Sequence, residues 1–337
     1  MKHILTSFGL SPTLEVSRIN TGYINFTYKL TGERSFILQR VNKNVFKRPE
    51  IIASNLRLAA DHLANAHPDY LFLSSIKSVD GQEMVYDDEG FPWRLFPYIS
   101  NTITIDKVET EQEAYNAARG FGWLTKNLSG CHVSAFEPTI ERFHDLSLRY
   151  QQFEHALEHA ERSRKEEAKD AIDASKRFSF LVKEYENLIA SKALLLRITH
   201  NDTKINNILF DASTREAVCV IDLDTLMPGY FIYDLGDMIR TFVSPVDEEE
   251  KDLKKIVVRK NIYDALLRGY LFAMDDSLTT EERKAIPFSG QMMTYIMALR
   301  MLADFLNGDV YYQTTYPKQN LIRARNQLRL LELLNSL

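Results

Sequence analysis

His200-Asn201-Asp202-Thr203-Lys204-Ile205-Asn206-Asn207 places an imidazole, a carboxylate, an ammonium and three carboxamides close together, and Val220-Ile221-Asp222-Leu223-Asp224 follows with two more carboxylates. Phosphoryl transfer needs a carboxylate where a nucleophilic hydroxyl arrives, and oxygen ligands that hold magnesium against nucleotide phosphates. The spacing H-x-D-x-x-x-x-N supplies both from one loop. Asp202 would orient and deprotonate the hydroxyl, Asn207 would ligate the metal, and Asp222, ending a nearby strand, would be the second ligand. Lys204 would neutralise charge growing on the transferred group. The same letters also suit a polar turn in which Asp202 and Asn207 only cap backbone groups.

Such a loop has to be held by strands, and two short apolar runs, Asn207 to Phe210 and Ala217 to Leu223, flank a turn at Asp211 to Thr214. From about Leu14 to Tyr98 the chain reads mainly as strands and turns. The turn Asn20-Thr21-Gly22 leads into Asn25 to Leu30, then Thr31 to Arg34 into Ser35 to Gln39, and Met84-Val85-Tyr86 pairs across a turn with Trp93 to Phe96. One helix among them starts at Pro49 and carries an apolar stripe of Ile52, Leu56, Ala59, Ala60 and Leu63. Beyond Asp106 the periodicity becomes helical. It predicts helices over Glu111 to Leu128, from about Leu148 to Ser191, and at the end along Leu321, Ala324, Leu328, Leu331 and Leu334.

His200 to Asn207, Val220 to Asp224 and Gly229-Tyr230-Phe231-Ile232-Tyr233-Asp234-Leu235-Gly236-Asp237 resemble the phosphotransferase family that includes aminoglycoside phosphotransferases and choline kinases. Within it, Leu38 to Phe46, Phe143-His144-Asp145 with Arg149-Tyr150, and Arg300 with Leu306 to Tyr311 are similar to N-acetylhexosamine 1-kinases. The resemblance implies an α+β, protein-kinase-like two-lobed fold. Residues 1–98 would form a small β-rich nucleotide-binding lobe, and residues 99–337 a larger, mainly helical lobe for catalysis and acceptor binding. The implied reaction moves the γ-phosphoryl group of ATP, with Mg2+, onto the anomeric hydroxyl of an N-acetylated hexose. Other acceptors of the same fold stay open, whether a choline-like alcohol, an aminoglycoside or another sugar, as does a silent nucleotide-binding sensor.

The same resemblance assigns supporting roles. Asp234 would brace the catalytic loop, Arg300 and Tyr311 would contact the sugar alongside Asp202, and His144 would be a further contact, although an Asp145 helix cap with an incidental His is the favoured reading of that pair. Gly22 and Asn25 would lie over the phosphates, and Pro97-Tyr98-Ile99 would receive adenine. Protein kinases carry a phosphate-binding Lys on the third strand, where this chain has Ile37-Leu38-Gln39-Arg40. Gln39 and Arg40 point to opposite strand faces, so one of them would serve. Arg40, being charged, is the preferred contact, with Glu50 as its acidic companion.

The bulk properties agree with this class. The 337 residues are 45% hydrophobic and 26% charged, an ordinary globular composition long enough for two cores. A net charge of −5 offers no cationic field for nucleic acid. No apolar run reaches the ~18–20 residues of a membrane span. Cys131 and Cys219 lie far apart, and the interrupted apolar start Ile4 to Leu10 makes no signal peptide, so a reducing cytoplasm is expected.

Overall fold

A computed structural model describes residues 1–19 and 25–337. The chain opens with a short helix, α1 (Lys2–Ser7), followed by strands β1 (Glu15–Ile19), β2 (Phe26–Thr31) and β3 (Phe36–Arg40). Helix α2 (Pro49–Ala66) comes next, then β4 (Val85–Tyr86) and β5 (Pro92–Pro97). These strands form an antiparallel sheet in the order β1-β2-β3-β5-β4. On one face, Leu30, Leu38, Trp93 and Leu95 pack with Ile4 and Leu5 of α1 and with Phe8 just after it into a small separate core. That helix is absent from the sequence reading, because six residues are too few for a periodic signal.

Pro49 occupies the first helical position of α2 with Glu50 in its first turn, and Ile52, Leu56, Ala59 and Leu63 are buried along one stripe. This stripe joins the main core of the helical region rather than the core of the sheet. Asn55, inside α2, donates to the carbonyls of Glu137 (2.8 Å) and Leu226 (2.9 Å). The helix thereby ties the sheet region to the turn that follows Asp222.

A short β6 (Thr102–Ile103) leads to α3 (Glu111–Asn127), α4 (Leu146–His159), α5 (Arg162–Glu167), α6 (Lys169–Arg177) and α7 (Phe180–Ala190). A reciprocal cap starts α3: Thr110 Oγ1 accepts the Glu113 N–H, and the Glu113 carboxylate accepts the Thr110 N–H. The stretch from 148 to 191, expected as one long helical run, is broken into α4 to α7. Its breaks at Ala160, Ala168 and Phe178 carry no Gly or Pro; Ala168 and Phe178 are buried in the core, and Ala160 packs against it.

The remaining elements are β7 (Arg197–Thr199), β8 (Ile208–Asp211), β9 (Ala217–Val220), β10 (Met227–Gly229), α8 (Phe231–Phe242), α9 (Lys260–Met274), α10 (Thr280–Lys284), α11 (Ile286–Leu306) and α12 (Gln319–Leu334). The flanking strands thus sit where the sequence places them, β8 and β9 pairing across the Asp211 turn and joining β6, while β7 pairs with β10. Asp211 closes that turn by accepting the backbone N–H groups of Ser213 (2.9 Å) and Thr214 (2.8 Å). Along α12, Leu321, Ala324, Leu328, Leu331 and Leu334 are all buried. The architecture is kinase-like, a sheet region followed by a helical region. Both cysteines are free thiols. Among the described residues no helix is long and apolar enough to cross a membrane.

Candidate active site

The loop between β7 and β8 is fixed from beneath by one carboxylate. Asp234, 1% exposed in the first turn of α8, accepts the backbone N–H groups of His200 (3.0 Å) and Asn201 (2.7 Å). Its own carbonyl accepts the Thr203 hydroxyl (2.7 Å). Burial pushes the Asp234 carboxyl up, and the two N–H bonds pull against that push. The bracing role expected of Asp234 follows from these bonds.

His200 holds the loop from above. Its Nδ1 accepts the Asp202 N–H (3.1 Å), so Nε2 carries the proton and donates to the Ile221 carbonyl (2.9 Å), one residue before Asp222. Asn201 adopts a left-handed φ of 66° and donates to the carbonyls of Thr199 (3.0 Å) and Thr225 (2.9 Å). Gly229 faces this corner. A Cβ there would lie 2.2 Å from Thr199 Oγ1 and 2.9 Å from Asn201 Oδ1, so only glycine lets β10 approach β7.

The motif residues come together on this frame. Asp202 accepts the Lys204 ammonium at 2.9 Å and the Asn207 amide at 3.2 Å, while Asn207 also donates to the Asp202 carbonyl at 2.8 Å. Burial alone would push the Asp202 carboxyl up. The Lys204 ammonium beside it, with the charge of Arg240, outweighs this and holds the group below the usual carboxylate range, so it is ionised at neutral pH. Lys204 is raised in turn, chiefly by Asp202. The Asn207 N–H2 is occupied by Asp202, which leaves its carbonyl oxygen as the atom free to ligate.

Asp222 follows β9 in a left-handed conformation (φ 56°). Desolvation, then the negative charges of Asp224 and Asp202, push it up to about 6. Crowding carboxylates in this way is unfavourable for the bare protein and suits a site that takes a divalent cation. Asn207 and Asp222 therefore fit as magnesium ligands, a small set appropriate to an ion that keeps waters and phosphate oxygens in its shell.

On the sheet side the arrangement differs from expectation. Arg40 turns away from Asp222. It pairs with Asp87 (3.0 Å) and Glu89 (2.7 Å) and lies 3.7 Å over the Phe91 ring. Glu50 pairs with Arg48 at 3.2 Å and is no companion of Arg40. The opposite strand face carries Gln39, whose Oε1 accepts two bonds from Arg94 (3.1 and 2.9 Å). Arg94 is 2% exposed and ion-paired to Asp224, and Asn25 donates to the same carboxylate at 2.7 Å. Removing one partner of such a buried pair costs about 3–5 kcal/mol. Sequence reasoning missed this pair, although a lone arginine in the apolar run Pro92-Trp-Arg-Leu-Phe-Pro97 is its signal.

Gly22 lies outside the described residues. Pro97 ends β5, and Tyr98 and Ile99 form the connection to the helical region: the Tyr98 N–H bonds the Ser35 carbonyl (3.2 Å), and the Ile99 carbonyl accepts the Thr102 hydroxyl (2.8 Å).

The Arg300 guanidinium sits 5.3 Å from the Phe143 ring, 5.6 Å from Tyr312 and 6.0 Å from Tyr311. Asp304 presents both tyrosines by accepting the backbone N–H groups of Val310 (3.0 Å), Tyr311 (2.8 Å) and Tyr312 (2.9 Å). Nothing in the linear text marks Asp304 for this task. Tyr311 is 67% exposed. His144, expected to touch the acceptor, is instead buried against Phe143 (ring centroids 4.2 Å) with Nε2 at 2.8 Å from the Asn201 carbonyl. Burial pulls its pKa down to about 4, so the neutral ring donates to Asn201 and props the catalytic loop. Asp145 caps α4 through the Leu148 N–H (2.9 Å).

The sequence profile of the Phosphotransferase enzyme family matches residues 15–277. Among solved structures, a microcompartment-associated aminopropanol kinase is similar over 99% of this chain and 96% of its own, at 18% identity and a TM-score of 0.67. A spectinomycin phosphotransferase solved with ADP and spectinomycin covers 100% of this chain and 97% of its own, at 15% identity and a TM-score of 0.60. An amicoumacin kinase solved with AMP-PNP and Ca2+ covers 94% and 88%, at 14% identity and a TM-score of 0.58.

Proposed function

We propose, because this chain belongs to the phosphotransferase enzyme family, that it is a cytoplasmic ATP- and Mg2+-dependent kinase that phosphorylates the anomeric hydroxyl of an N-acetylhexosamine. Residues 1–98 would carry the nucleotide, with adenine against Pro97, Tyr98 and Ile99, and residues 99–337 the chemistry and the acceptor.

The observation that carries the acceptor class is Arg300. Among the described residues no carboxylate pairs with it, and its guanidinium already occupies the faces of Phe143, Tyr311 and Tyr312. An aromatic set that would otherwise cage a quaternary ammonium is filled by the chain's own cation. A cationic acceptor would meet that charge, whereas an uncharged acceptor rich in carbonyl and hydroxyl oxygens matches the planar fork of donors. The acetamide and hydroxyls of an N-acetylhexosamine fit this description.

In the reaction, Asp202 accepts the proton of the anomeric hydroxyl as its oxygen bonds to the γ-phosphorus. The bond from that phosphorus to the bridging oxygen breaks, and ADP leaves. A weakly basic carboxylate suffices, since the loose transition state of phosphoryl transfer does not need an alkoxide formed in advance. Lys204 offsets charge on the moving group. Magnesium held by Asn207 and Asp222 would neutralise the phosphates.

The test is ATP consumption with magnesium over N-acetylgalactosamine, N-acetylglucosamine, unmodified hexoses, choline and an aminoglycoside, with NMR locating the phosphate. A sugar 1-phosphate is expected. Turnover confined to choline or the antibiotic would discard the acceptor assignment, and silence across the panel despite tight ATP binding would favour a sensor. Arg300→Ala should raise the acceptor KM at least about 10-fold, with the ATP KM changed less than about 2-fold; an effect confined to ATP would remove Arg300 from the acceptor pocket.

A further inference from the structure

The cleft face of β3 carries no cation. Protein kinases place a lysine there that pairs with the nucleotide phosphates and a helix glutamate, whereas the residue of this strand that faces the larger region is the neutral Gln39. A positive charge stands beside it. Arg94 is the register partner of Gln39 across the β3–β5 ladder, so the two side chains share one sheet face. Gln39 is itself fixed, because its amide donates to Thr27 Oγ1 at 3.1 Å and leaves Oε1 to accept Nε and Nη2 of Arg94.

The same Nη2 pairs with Asp224, two residues beyond the metal-ligand candidate Asp222. Asn25, directly after the turn expected to cover the phosphates, holds the other oxygen of Asp224, and its own carbonyl oxygen accepts the Asn42 N–H at 3.0 Å. The remaining terminal nitrogen of Arg94, Nη1, is buried and meets no hydrogen-bond acceptor among the described residues. A buried charged donor without an acceptor calls for an explanation, and a ligand oxygen supplies one.

We propose that Arg94 is the phosphate-side cation of this cleft: from β5 it clamps the Asp222–Asp224 turn to the sheet through Asp224 and offers Nη1 to a nucleotide phosphate oxygen. The charge that other kinases carry on β3 is displaced by one strand, and Gln39 serves as its orienting acceptor. The inference goes beyond the acceptor assignment and stands whichever alcohol is phosphorylated.

The test measures binding, not turnover. Adenosine and ADP compete with a fluorescent nucleotide in the presence of a chelator, so that phosphate affinity is read without metal. Arg94→Met should weaken ADP about 10- to 100-fold, the scale of one charge-assisted hydrogen bond. Adenosine should change less than about 2-fold, and Arg94→Lys should fall between. Should Arg94→Met not fold, the double variant Arg94→Met/Asp224→Asn removes both charges, restores the melting temperature, and should still lack the ADP increment. An unchanged ratio of ADP to adenosine affinity, whether both hold or both fall together, would overturn the proposal.

Discussion

Asp202→Asn should lower turnover about 10²- to 10⁴-fold, the scale of losing a positioned general base, while ATP affinity should stay within about 2-fold. The two numbers separate because Asp202 contacts only groups of its own loop, Lys204 at 2.9 Å and Asn207 at 3.2 Å. An asparagine has the same shape and keeps one oxygen. Its amide nitrogen must then face either the Lys204 ammonium or the Asn207 amide, both of them donors, so one bond is lost and nothing remains to take the hydroxyl proton. Steady-state kinetics with a nucleotide-binding measurement decide the matter. Near-normal turnover would mean that Asp202 only caps the loop, the bland reading its residue type also allows.

The catalytic loop is legible in the linear text because its geometry is local. Asp202, Asn207 and Asp222 reach one place through a loop and a single hairpin, and β8 and β9 lie where their apolar runs suggest. What depends on tertiary register is not. Alternation tells that Gln39 and Arg40 face opposite ways, but which face meets the cleft is settled by the pairing of β3 with β5 and by Asp87 and Glu89, distant in sequence, which draw Arg40 aside. His144 packs against Phe143, which lies under Arg300. Burial converts it from a contact into a prop, and burial has no local signature. The breaks between α4 and α7 likewise carry no Gly or Pro that could announce them in the linear text.

Asp234→Ala should damage both stability and turnover, which distinguishes a residue that positions from one that reacts. Its carboxylate is the acceptor for two consecutive backbone N–H groups of the catalytic loop, at 3.0 and 2.7 Å, in a place with no access to water. Alanine leaves both donors buried without a partner and opens a void, a loss of about 2–4 kcal/mol. Asp234→Asn should fall between, since its amide offers an oxygen to one N–H and a hydrogen to the other. Turnover should drop about 10²-fold in the alanine variant, because Asp202 rides on this segment and a displacement near 1 Å costs roughly that much. Denaturant midpoints and kcat measured on the same preparations test the order wild type, Asn, Ala. If the alanine variant keeps its stability and loses less than about 10-fold in turnover, the loop is held by His200, Asn201 and the prop at His144, and the carboxylate beneath it is dispensable.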